Sequence, residues 1–167
     1  CSSLRSIHIP ESVISIGDGA FILCERLRRV TISCSVALIG KEVFHQCSKL
    51  RSVNIPDTVV SIKDDAFSGC NLLESIRIPN SVVSIGKSAF AGCWSLKSIV
   101  IPGSVISIGE YAFTQCRSLK SVTIPVSVTS IGKYAFGSCF QLERVCVPKD
   151  LKYRLDTFPD RALKTRY

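Results

Sequence analysis

A cysteine recurs along this chain with a constant spacing of 23, at Cys1, Cys24, Cys47, Cys70, Cys93, Cys116 and Cys139, without a slip. Other columns keep the same register. Leucine stands at 4, 27, 50, 73, 96, 119 and 142. Ile or Val stands at 7, 30, 53, 76, 99, 122 and 145, and again two places on at 9, 32, 55, 78, 101, 124 and 147. Pro10, Pro56, Pro79, Pro102, Pro125 and Pro148 follow that second position, and Phe21, Phe44, Phe67, Phe90, Phe113 and Phe136 close the unit. The shared pattern reads C-x-x-L-x-S-I-x-I-P-x-S-V-x-S-I-G-x-x-A-F-x-x. A chain repeating at this period cannot form an ordinary layered domain. Each unit is too short to bury its own apolar face, so units stack and bury it against one another.

The unit divides by its local chemistry. L-x-S-I-x-I alternates apolar and polar residues, as a half-buried strand does. Its branched Ile and Val suit a pleated surface. Proline ends the strand because it has no N–H to give to a ladder. S-V-x-S-I-G reads as a turn and a second short extended piece. Gly17, Gly40, Gly86, Gly109 and Gly132 are expected to take a backbone shape that a Cβ would hinder, and Lys63 fills that column once. A-F-x-x-C spaces Phe and Cys three apart, the spacing of one face of a short helix. The expected fold is an α/β repeat solenoid of 23-residue repeats, with a parallel sheet on one face and short helical turns opposite. Its strands would sit about 4.8 Å apart.

The array is expected to span 1–148, as six to seven repeats. Because the chain begins mid-register at Cys1 and contains no Met, the array is read as truncated at its N-terminus. After Pro148 the pattern stops. Phe158 falls one place before the Phe column, and Pro159 occupies it. Residues 149–167, with six bases against three acids, read as a polar cap. Hydrophobic residues make up 46% and charged residues 20% of the 167, which excludes a disordered chain. No run approaches the roughly 18 apolar residues of a membrane span. The net charge of +8 favours acidic partners by long-range attraction, although simple solubility is the better account of it.

A fixed period in the twenties marks a leucine-rich repeat. The unit I-P-x-S-V-x-S-I-G-x-x-A-F-x-x-C resembles the BspA-like, or Treponema pallidum type, leucine-rich repeats, and the resemblance covers residues 1 to about 148. It implies a right-handed curved array with its parallel sheet on the concave side. It also implies a surface or secreted protein of a bacterium or anaerobic protist, of a kind associated with adhesion to host matrix proteins and to other microbes. Where the commonest leucine-rich repeat carries Asn, this chain has Ser12, Ser35, Thr58, Ser81, Ser104 and Ser127. Hydroxyls can still bond nearby backbone there, more weakly. One unit is irregular, with Ser33 in the proline column and Cys34 and Leu38 in largely polar ones.

Two chemistries are tested against the repeat and set aside. Zinc needs ligands converging in tight local groups, whereas these cysteines stand 23 apart. Stacked cysteines lie close enough for disulfides, but their parallel Cβ vectors suit bridging poorly. The ladder is therefore read as buried free thiols acting as small hydrophobes. Cys34 and Cys146 lie outside it, and Cys146 is expected to face solvent as a reactive thiol. His8 and His45 fall in different columns and offer no triad. No phosphate loop and no cofactor motif occurs, so no enzyme, metal or cofactor is expected.

A binding face is the better reading. The outward strand columns hold Ser6, Arg29, Ser52, Ser75, Ser98, Ser121 and Arg144, then His8, Thr31, Asn54, Arg77, Val100, Thr123 and Cys146. The second column varies while its neighbours stay fixed, so packing does not dictate it. The candidate ligand-binding set is Arg29, Thr31, Ser52, Asn54, Ser75, Arg77, Ser98, Val100, Ser121 and Thr123. Beside it runs a basic stripe of Arg5, Arg28, Arg51, Lys97 and Lys120, interrupted by Glu74 and Glu143. It suits an acidic protein or a sulfated glycan. Nucleic acid is disfavoured because these columns lack aromatic stacking platforms. Trp94 and Phe140 follow the ladder cysteine, where they either anchor an interface or pack on a loop. The expected function is a non-catalytic protein-interaction or adhesion module. The alternatives are a structural spacer within a longer array and a binder of anionic glycans.

Overall fold

A computed structural model describes residues 3–167. Cys1, the first member of the cysteine ladder, and Ser2 lie outside the described residues. The chain winds as a parallel β-solenoid of about seven turns. Its strands are β1 (Ser6–Ile9), β2 (Arg29–Ile32), β3 (Leu38–Ile39), β4 (Ser52–Val53), β5 (Ser61–Ile62), β6 (Ser84–Ile85), β7 (Ser107–Ile108), β8 (Ser121–Thr123), β9 (Ser130–Ile131), β10 (Arg144–Val147) and β11 (Leu163–Arg166). All pairings are parallel. Within the repeat they join equivalent positions of successive units, as Arg29↔Ser52 and Ile85↔Ile108 do.

Two faces carry strands. The face expected from L-x-S-I-x-I pairs only at its ends, as β1-β2-β4 and β8-β10-β11. The S-I pair of the second segment builds the longest sheet, β3-β5-β6-β7-β9. Side chains alternate as a half-buried strand requires. In β2, Arg29 and Thr31 are exposed while Val30 and Ile32 are buried.

The short helices expected opposite the strands do not form. Among the described residues there is no α-helix, only a 3-10 turn at Leu155–Thr157. The coil around Phe90 shows why. An α-helix must keep its N–H groups for its own carbonyls. Here every second N–H leaves for the next coil: Ser88 donates to the carbonyl of Glu110, Phe90 to Ala112 and Gly92 to Thr114, at 2.7–2.9 Å. The alternate N–H groups close tight turns, Ala91 onto Ser88 and Cys93 onto Phe90. Two left-handed residues per coil make this possible, Ser88 (φ 53) and Gly92 (φ 70) here, Tyr111 (φ 57) and Gln115 (φ 58) in the next.

The glycine column has a different cause from the one expected. Gly86, Gly109 and Gly132 are not left-handed; the preceding coil simply passes too close. A Cβ on Gly109 would stand 2.6 Å from the carbonyl carbon of Gly86. At Gly17 nothing lies within 4 Å. Gly109→Ala should therefore cost about 1–3 kcal/mol as an overpacking change. Gly17→Ala should be neutral, or stabilising by up to about 1 kcal/mol through the unfolded chain. Urea midpoints of the two variants test the pair, and equal losses would contradict the contact argument.

The core is a set of columns running the length of the stack. The rings of Phe21, Phe44, Phe67, Phe90, Phe113 and Phe136 stack at 5.0–5.5 Å between centroids. Phe158 joins them 5.3 Å from Phe136, although it is one residue short of register. The array absorbs the slip because the N–H of Phe136 still finds a carbonyl, that of Thr157. Residues 149–167 thus add a further short coil. Leu151, Phe158 and Ala162 are buried, and β11 pairs with the whole of β10.

The repeated polar columns also bond from coil to coil. Thr58, Ser81, Ser104 and Ser127 each donate a hydroxyl to a valine carbonyl of the coil before, at 2.6–2.9 Å. The described ladder cysteines, Cys24, Cys47, Cys70, Cys93, Cys116 and Cys139, are free and buried. Cys47, Cys70, Cys93, Cys116 and Cys139 donate their thiols to the carbonyls of Phe21, Phe44, Phe67, Phe90 and Phe113, at 3.1–3.4 Å. These carbonyls accept only a turn bond from their own coil, so the thiol supplies the inter-coil partner. The column needs a small side chain that is apolar enough to bury and still donates weakly, and cysteine meets both demands.

Candidate binding surface

The strand face presents what the alternation dictates. Arg29, Thr31, Ser52, Asn54, Ser75, Arg77, Ser98, Val100, Ser121 and Thr123 are all exposed. Arg5, Arg28, Arg51, Lys97 and Lys120 are exposed beside them. These side chains do not form one uniform surface.

At the N-terminal end, Asn54 already has a structural task. Its amide donates to the carbonyl of Ile32 at 2.9 Å, and its oxygen accepts the Ile32 N–H at 2.7 Å. The side chain thereby replaces the next rung of the β2–β4 ladder, which ends at Val53. In the middle of the face, acids neutralise the bases. Arg77 meets Asp57 at 2.8 Å, and Glu74 meets Lys97 at 2.6 Å and Arg51 at 4.0 Å. The lysine hydrogen bond and charge hold the Glu74 carboxyl below its ordinary value. Such exposed pairs add little to stability, but they interrupt the stripe as a source of positive potential.

Toward the C-terminal end, four predicted residues come together. Ser98, Val100, Ser121 and Thr123 floor a cleft of about 640 Å³, with Pro125, Val126 and Tyr167 also lining it. The phenol of Tyr167 is fixed by donating to the carbonyl of Ile124 at 2.7 Å. Val100 is 78% exposed and Val126 75% exposed. Neither contributes to the core, so the cleft displays apolar surface within a polar rim. Val126 and Tyr167 were not legible as site residues: one sits in a turn column and the other in the aperiodic tail.

Cys146 is only half-buried, not open, because β11 flanks it and Thr165 pairs opposite. Trp94 and Phe140 are exposed rather than packed under a loop. The Arg117 guanidinium lies between them in the same column, 4.8 Å from the Trp94 ring centroid and 6.0 Å from that of Phe140. Among the described residues, no group of three or more His, Cys, Asp or Glu side chains could hold a metal, and no helix is long and apolar enough to cross a membrane.

Comparison with known proteins places this architecture. The family model described as BspA type Leucine rich repeat region matches in six copies, over residues 1–96 and 38–161. A leucine rich cell surface protein from Faecalibacterium prausnitzii A2-165 is 39% identical, with a TM-score of 0.80 over 86% of this chain. The chain spans 39% of that protein's length. The leucine-rich repeat protein of T. pallidum is 28% identical, with a TM-score of 0.71 over 94% of this chain and 79% of its own. The pneumococcal vaccine antigen PcpA, 20% identical with a TM-score of 0.66 over 97% of this chain and 36% of its own, shares the fold. No curated protein matches.

Proposed function

The chain belongs to the BspA-type leucine-rich repeat family, and on that premise we propose that it is a non-catalytic recognition module of a cell-surface protein, taking a protein ligand on its strand face. The observation that carries this reading is the cleft over Ser98, Val100, Ser121 and Thr123, with Val100 and Val126 exposed beyond any need of packing. Apolar side chains inside a polar rim are the usual anatomy of a protein interface. One side of the cleft is also held rigid: β8, which carries Ser121 and Thr123, pairs with β10, so little ordering entropy is lost there on binding. The surface location rests on the F. prausnitzii relative, which is a leucine rich cell surface protein.

The test is a binding screen of the purified chain against a panel of extracellular-matrix and cell-surface proteins, at two salt concentrations. Val100→Asp combined with Val126→Asp should weaken a hit at least about tenfold, by placing two desolvated charges in the contact. Folding stability should change by no more than about 0.5 kcal/mol per site, because both residues are exposed. Binding that survives the double change would refute this face as the site. Its loss together with thermal stability would mean that the residues are structural. A chain that binds nothing in the panel would favour a spacer within a longer array.

A further inference from the structure

We infer that the N-terminal coils carry a separate anion-binding cleft, lined by Arg5, Arg26, Arg28 and Lys49, that takes a sulfated polysaccharide. These four side chains alone line a cavity of about 280 Å³. All four are exposed, and among the described residues none is within ion-pairing distance of a carboxylate. Even Glu25, the chain neighbour of Arg26, pairs with none of them. By contrast, Arg77, Lys97, Lys133 and Arg154 each have an acid within 4.0 Å. Four like charges around one small cavity repel one another, and the fold supplies nothing to offset them. A bound anion would.

The backbone sets the cations in rows. The Arg28 N–H donates to the Arg5 carbonyl at 2.7 Å, and the Arg51 N–H to the Arg28 carbonyl at 2.9 Å. The three arginines therefore stand one coil apart, about 4.8 Å from one to the next. Arg26 and Lys49 repeat the same step in a second column, one full unit apart. Two parallel rows of cations suit a linear polymer bearing an anionic ester on successive sugars. Arginine adds bidentate geometry to each sulfate contact. A nucleic-acid groove would set aromatic rings beside its cations for stacking, and none lines this cleft. The sequence already showed Arg5 and Arg28. Arg26 and Lys49 lie outside the strand columns, and only the coil geometry brings them to the same cavity.

The test uses the whole chain and a heparin-derived octasaccharide, read by calorimetry. The desulfated octasaccharide and a single-stranded oligonucleotide of similar charge serve as comparison ligands. Arg26→Ser with Lys49→Ser leaves the fold intact, because Ser95 and Ser118 fill the same column in later coils. Lys87→Ser with Lys152→Ser removes equal charge elsewhere, at two exposed lysines outside the stripe. The sulfated ligand should bind and the desulfated one should not. Affinity should fall roughly fiftyfold between 50 and 200 mM salt if about four contacts each release about 0.7 counterions. The Arg26/Lys49 pair should lose at least about tenfold and the Lys87/Lys152 pair less than about threefold. Equal losses from the two pairs would reduce the effect to net charge and overturn the site. Tighter binding of the oligonucleotide would overturn the choice of ligand. The Val100→Asp/Val126→Asp variant should bind the octasaccharide normally, which separates this site from the protein-binding cleft.

Discussion

Phe90→Ala should lower the folding free energy by about 3–5 kcal/mol, with a corresponding fall in the urea midpoint. The ring is fully buried and stacks 5.2 Å from Phe67 on one side and 5.2 Å from Phe113 on the other, within 4° of parallel. Truncation removes its own transfer energy and leaves a cavity between two rings that cannot close, because each coil is tied to its neighbours by backbone bonds such as Phe90 to Ala112. Phe21→Ala should cost less. That ring is only partly buried and has one described ring neighbour, Phe44. Stability in a solenoid is a sum over coils and their interfaces, so a cavity in the middle weakens two interfaces at once. A second, separately melting transition in Phe90→Ala would show the array breaking there. Equal costs at Phe90 and Phe21 would contradict the column as the unit of stability.

Stability should also fall steeply above pH 9. Burial pushes the Cys93 thiol from its ordinary 9.0 up to about 12, and Cys47 likewise to about 12; Cys70 and Cys116 are raised well above their ordinary value by the same cause. In the unfolded chain these thiols ionise near pH 9. Between that pH and the folded value, the folded state holds protons that the unfolded state has released. Each such thiol then removes about 1.4 kcal/mol of stability per pH unit, and below pH 9 it removes none. Urea midpoints at pH 7, 9, 10 and 11 would show the break. Tyrosines and lysines titrate in this range too, so the discriminating variant is Cys93→Ala. It should be less stable than the parent at pH 7, where it lacks the bond to Phe67, and the gap should narrow by about 1.4 kcal/mol per pH unit above pH 9. Parallel curves would rule out the thiol as the source.

Much of the fold could be read from the repeat. Columns that recur six or seven times state what each coil must bury, and the alternation in L-x-S-I-x-I places Arg29 and Thr31 outward and Val30 and Ile32 inward. The helical reading of A-F-x-x-C failed for a specific reason. A spacing of three between Phe and Cys satisfies a helix face, but it equally satisfies a run of turns whose alternate N–H groups bond the next coil. Periodicity within one unit does not show where its amides go. The same ambiguity hid the cause of the glycine column. A missing Cβ can serve a left-handed backbone or a close approach, and only the stacked coils show that Gly109 meets Gly86.

Sequence alone determined the repeat length, the inward columns and the exposed strand residues, because local patterning decides which face of a coil is apolar. Tertiary structure decided which exposed residues share a cleft. Val100 and Val126 come together with Tyr167 of the aperiodic tail, and Arg26 and Lys49 come to the same cavity as Arg5 and Arg28. Stacking turns one full repeat of chain into a single inter-coil step in space. Neighbours across coils therefore depend on how the coils settle against one another, which no single unit encodes.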